Sequence, residues 1–171
     1  GFKKKNDVKK KVTKAMENFV AHTKETLEKL YNHPSIVAYT IFNEGWGQFN
    51  SDEMYDLVKE IDNSRLIDST SGWYAREKND FDSEHIYFKV KELKPNKRPL
   101  FVTECGGYKM LKDGHFYGRK EYGYGTCKDE KVLMERIEEM YEKMIIPGIK
   151  KGACGCIYTQ LSDVEDEING L

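Results

Sequence analysis

The chain has 171 residues, 33% of them charged, and a formal net charge of −1. That length allows one domain with a core of its own, and the charge balance excludes a general attraction to nucleic acid or anionic lipid. No apolar stretch approaches the roughly 20 residues of a membrane span, and no signal-peptide pattern opens the chain. The expectation is therefore no nucleic-acid partner, no membrane partner, and a cytoplasmic protein unless the N-terminus is not the natural one.

Over residues 8–31, Val8, Val12, Met16, Phe19, Val20, Thr23, Leu27 and Leu30 recur at the spacing of an amphipathic helix, with the lysines at 3–5 and 9–11 on its solvated face. His33-Pro34 stops it. The run over 36–42 is apolar throughout, as in a parallel strand covered on both faces, and it ends in Asn43-Glu44-Gly45-Trp46. Residues 50–53 read as a helix start, followed by a stripe of Met54, Tyr55, Leu57, Val58 and Ile61. A short strand over 65–69 leads into Ser71-Gly72-Trp73, and a further strand is expected over 85–88.

The strand over 98–103 ends in Glu104-Cys105-Gly106-Gly107. Residues 104–126, rich in Gly and Tyr, form a loop long enough to be functional or mobile. A helix over 129–146 closes at Pro147-Gly148, a last strand covers 153–160, and the acidic run over 163–167 reads as a solvated loop. The four cysteines, Cys105, Cys127, Cys154 and Cys156, show no metal-ligand spacing and read as small buried hydrophobes.

Helices alternating with strands indicate an α/β fold of βα repeats around a parallel sheet. Five strands are counted, whereas a complete eight-stranded barrel takes about 250 residues. Residues 1–171 therefore read as a single partial barrel domain, a fragment of a larger enzyme. Its open edges, near 36–42 and 153–160, predict either self-association or marginal solubility.

A glutamate at a strand end is ordinarily a solvated loop carboxylate. Two strands that each deliver Glu then Gly to a tip make a carboxylate pair, and such a pair is the machinery of glycoside hydrolysis. Glu44 and Glu104 stand 60 residues apart, so only convergence of different strands brings them together. The expectation is that both lie at the C-terminal edge of one parallel sheet, with the strand of His85 between those ending at Ser69 and Glu104. Trp46, Trp73 and Tyr158 offer flat faces on which a pyranose ring would stack.

The sequence resembles the catalytic barrel of family-2 glycoside hydrolases, the β-galactosidase, β-glucuronidase and β-mannosidase group. The matching pieces come in the family's order: Asn32-His33-Pro34-Ser35-Ile36 leading into Asn43-Glu44, then residues 68–73, then Asp82 through His85 to Tyr87. Thr103-Glu104-Cys105-Gly106-Gly107 follows, and then residues 158–163 and 169–171. The resemblance implies strands four to eight of a (β/α)8 TIM barrel, with the preceding sandwich domains and first three strands absent.

It also implies Glu44 as acid/base and Glu104 as nucleophile of a retaining, exo-acting β-galactosidase-like hydrolysis of a carbohydrate substrate. Asn43 would donate to the sugar hydroxyl next to the anomeric carbon, and His85 and Tyr87 would stand beside the nucleophile. No cofactor and no metal are implied. Tyr158 and Gln160 occupy a strand where the family often has Trp. Two further readings stay open: an inactive carbohydrate-binding or structural fragment, and a related barrel endo-glycanase.

Overall fold

The computed structural model describes residues 13–45, 47–74, 76–117 and 120–171. The chain divides into two units, 1–83 and 84–171. Trp46, the lysines at 3–5 and 9–11, and the apolar positions Val8 and Val12 lie outside the described residues.

In the first unit, helix α1 (Lys14–Leu30) starts at Thr13, whose hydroxyl accepts from the amide of Met16 at 3.3 Å. Glu17 in its first turn and Lys29 in its last suit the helix dipole. Strands β1 (Ala38–Phe42) and β2 (Leu66–Thr70) pair in parallel, from Ala38 opposite Leu66 to Phe42 opposite Thr70. Helix α2 (Ser51–Ile61) is their crossover, and Leu27, Val58 and Ile67 form the core beneath it. A second cluster joins Phe42, Phe49 and Met54, with Phe19 stacked on Phe42 at 5.1 Å.

Arg65 ties the turn before β1 to the turn before β2. Its guanidinium donates to the carbonyls of Tyr31, His33 and Ile36 and pairs with the buried Asp62. That is why the chain around Pro34 needs no regular element of its own.

Strand β1 is less covered than its apolar sequence predicts. Only Phe42 is fully buried, Thr40 is exposed, and an open groove of about 360 Å³ runs along the strand, lined by Phe19, His22, Leu27, Tyr39, Ile41 and Val58 among others.

In the second unit, β3 (Asp82–Ile86), β4 (Leu100–Gly106) and β5 (Ala153–Thr159) lie in that order, with β4 and β5 parallel. Helix α3 (Glu130–Met140) is capped by Asp129, whose carboxylate accepts from the amide of Val132 at 2.9 Å. Expected to close near Pro147, it instead continues through a π-helical turn (Tyr141–Ile145) into α4 (Ile146–Lys150). The wider turn pairs the amide of Ile146 with the carbonyl of Tyr141 and sets Pro147 in a first turn, where a missing N–H does no harm. Gly148 leaves room there for Leu93, whose Cδ1 would lie 2.4 Å from a Cβ. Met140, Met144 and Ile145 from this helical run pack on Ile86, Leu100, Val102 and Cys105.

The parallel strands and the α/β class follow the sequence reading, and the described strands form the ladders β1-β2 and β3-β4-β5. The outer edge of β2 is occupied by side chains. The amide of Ile67 donates to Oδ2 of Asp80 at 2.7 Å, that of Ser69 donates to Oδ1 of Asn79 at 2.7 Å, and the Ile67 carbonyl accepts from the Asp80 amide. Groups that another strand would have paired are already satisfied. Residue 157 is exposed and so is Cys154, whereas Cys105 and Cys127 are buried; the reading of all four cysteines as core is corrected for Cys154, which sits on the outward face of an edge strand. No described helix is long and apolar enough to cross a membrane.

Candidate active site

Glu104 stands near the C-terminal end of the central strand β4, which continues to Gly106. Its Oε2 accepts the hydroxyl proton of Tyr87 and lies 3.1 Å from Nδ1 of His85. His85 is on β3, and Tyr87 follows one residue past that strand's end at Ile86, two short of the predicted end. The two-residue period still holds across the boundary and sends both side chains to the same carboxylate. The His85 side chain is fully buried, while that of Glu104 keeps 27% of its surface open.

Tyr87 is fixed on all sides. Its ring stacks on Tyr124 at 3.8 Å and 10°, meets His85 edge-on at 6.4 Å, and its oxygen lies 3.4 Å from Oγ1 of Thr159 at the end of β5. Burial pushes the phenol pKa up and the Glu104 carboxylate pushes it further, so Tyr87 stays protonated and remains a donor.

The two glycines behind Glu104 have a steric cause. At Gly106 (φ +87°) a Cβ would lie 2.3 Å from the ring of Tyr158, and at Gly107 (φ +63°) 2.6 Å from Tyr124 and 2.9 Å from Tyr87. Only glycine lets the backbone turn left-handed while the rings close over it.

In the first unit, Asn43 and Glu44 directly follow β1, Asn43 exposed and Glu44 half-buried. The tip is held by two bonds. Gln48, buried, donates from Nε2 to the Asn43 carbonyl at 2.9 Å, and the Ser71 amide donates to the Phe42 carbonyl at 2.8 Å. Trp73, 40% exposed, sits on a short 3-10 turn (Gly72–Tyr74) after β2.

The predicted site residues thus fall into distinct surroundings. His85, Tyr87 and Glu104 meet at one carboxylate oxygen. The Tyr158 ring lies against Gly106 and packs on the core of the second unit. Tyr124, Thr159 and Gln48 carry parts of this geometry that the sequence reading missed. Tyr124 lies in an unpatterned loop, and Gln48 is polar at a position with no periodic signal.

The sequence matches the family described as glycosyl hydrolases family 2, TIM barrel domain, over residues 3–109. The chain belongs to that family. The match takes in Asn43, Glu44, His85, Tyr87 and Glu104 and stops before Tyr158. A beta-galactosidase of Priestia megaterium (strain DSM 319 / IMG 1521) is 32% identical over 94 residues, which are 52% of this chain and 9% of that protein. The chain therefore spans a small part of the length of the relative it matches. Membership of family 2 places the chain among glycoside hydrolase domains.

Proposed function

We propose that the chain supplies the catalytic carboxylates of a retaining, exo-acting β-glycosidase of β-galactosidase type. The observation that carries this reading is the convergence of Tyr87 and His85 on Oε2 of Glu104. The Tyr87 hydroxyl donates to that oxygen, which stabilises the carboxylate as an anion and fixes its direction, as a nucleophile at an anomeric carbon requires.

In the first step Glu104 attacks the anomeric carbon through its other oxygen while Glu44, protonated, gives its proton to the departing glycosidic oxygen. The product is a glycosyl ester of Glu104 and the free leaving group. In the second step Glu44, now a carboxylate, takes a proton from water. The resulting hydroxide equivalent attacks the anomeric carbon and releases Glu104. Retention requires the two carboxyl groups about 5 Å apart. Asn43, next to Glu44, would donate to the neighbouring sugar hydroxyl, and Trp46 and Trp73 would stack on the ring.

The test uses an aryl β-galactoside. Glu104→Gln abolishes turnover, and azide does not restore it with retained configuration. Glu44→Ala slows turnover, and azide rescues it to give a β-glycosyl azide, since an anionic nucleophile needs no general base. Hydrolysis unchanged in both variants would remove the catalytic assignment.

A further inference from the structure

A cavity of about 430 Å³ opens in the second unit behind Tyr87, with Tyr87, Phe88, Tyr108 and Tyr124 as aromatic walls and Lys89 and Arg136 among its charged groups. It lies wholly within that unit and serves no step of the proposed reaction. Its volume is that of a small-molecule site, and its lining mixes aromatic rings with charged side chains. Phe88 is 75% exposed and meets Tyr124 edge-on at 5.2 Å, so its ring is open to a ligand.

The charge in this cavity is one-sided. Arg136 is held in place, its guanidinium 5.4 Å from the centre of the Tyr108 ring, and Gly125 leaves room for it, since a Cβ there would lie 2.6 Å from Nη1. Lys89 is exposed and has no ion pair among the described residues. The acid in the lining, Glu139, is also paired with Lys143 at 2.8 Å. The lining therefore carries two cations, Lys89 and Arg136, against one acid, Glu139, that is shared with Lys143.

We propose that this cavity is a second carbohydrate site, one that takes a carboxylate-bearing pyranose: the sugar ring lies on the exposed ring of Phe88 and its carboxylate is received by Arg136 and Lys89. The sugar class rests on the glycosidase reading, and the carboxylate rests on the charge of the cavity. Tyr87 connects the two places, because its ring lines the cavity and its hydroxyl donates to Glu104.

The experiment is titration of the intact protein with glucuronate and with glucose, followed by ligand-observed NMR. Glucuronate binds, and glucose binds at least about tenfold more weakly, the worth of a charge-assisted hydrogen bond. Arg136→Gln weakens glucuronate by about tenfold, and Lys89→Glu weakens it without altering the fold, since Lys89 holds no partner. Glu104→Gln leaves the affinity unchanged. Equal affinity for the two sugars would overturn the proposal. So would glucuronate binding that survives Lys89→Glu and Arg136→Gln, or that is lost with Glu104→Gln. Hydrolysis persisting in Glu104→Gln would instead refute the catalytic reading and leave the cavity result standing.

Discussion

Tyr87→Phe isolates the hydroxyl that donates to Glu104. The substitution removes one oxygen and keeps the ring, so the stack on Tyr124 at 3.8 Å and the edge contact with His85 remain. What is lost is a hydrogen bond to a charged acceptor, worth about 1.5–3 kcal/mol when partly shielded from water. If that bond holds Glu104 in its attacking form and direction, the loss appears in the transition state. At 1.36 kcal/mol per decade it lowers kcat/KM about ten- to hundredfold. The assay is steady-state hydrolysis of an aryl β-galactoside, with thermal unfolding as control. The midpoint of unfolding stays near that of the parent because the ring contacts persist. Tyr87→Ala removes the stack as well and lowers both activity and stability. A Tyr87→Phe protein with kcat/KM within about twofold of the parent would refute the reasoning, since one charge-assisted bond is worth more than that.

Gly106→Ala forces a Cβ to 2.3 Å from the Tyr158 ring at φ +87°, and the backbone penalty alone is about 1–2 kcal/mol; chemical denaturation should show a loss of at least that size. Gln48→Ala leaves the Asn43 carbonyl without its side-chain donor beside Glu44 and costs about 1–3 kcal/mol, read as lower stability together with lower kcat. Asp62 and Asp80 set the acid limb of stability. Burial alone would raise both carboxyls, but hydrogen bonds from Ser64 and Arg65 to Asp62, and from Tyr55 and Lys59 to Asp80, outweigh it and hold them below the usual range. A folded value below the unfolded one, about 3.9, gives stability that is present above pH 4 and lost as pH falls through the folded value. Denaturant midpoints should therefore fall between pH 5 and pH 3, and Asp62→Asn should flatten that fall.

Much of the architecture was legible because burial leaves a periodic trace. The stripe of α2 carries the helical period, and the short apolar runs ending at Asn43-Glu44 and at Glu104 mark strands by their length; each element lies close to where the sequence put it. The start of α3 was legible from Asp129. The side-chain bonds along β2 were not, because Asn79 and Asp80 reach back to the amides of Ser69 and Ile67, and such bonds have no period. The continuation of the helix past Pro147 was hidden for the opposite reason. Proline is a strong stop signal, and only the π-helical turn before it makes the residue tolerable. Around Glu104 the residue types announced the chemistry, whereas Tyr124 came from a loop whose glycines and tyrosines gain meaning only once Gly107 is seen to lie beneath two rings. Trp73 and Tyr158 were equal candidates by residue type, and they separate only by packing, one exposed after β2 and the other against Gly106.

The most direct test of the account is covalent trapping. The protein is incubated with an activated 2-deoxy-2-fluoro β-galactoside, which slows both steps and lets the glycosyl ester accumulate, and is then digested and analysed by mass spectrometry. The account predicts one added fluoroglycosyl group, on the peptide containing Glu104, and its loss on reactivation. A label on a different residue, or active hydrolysis with Glu104 unlabelled, would contradict it.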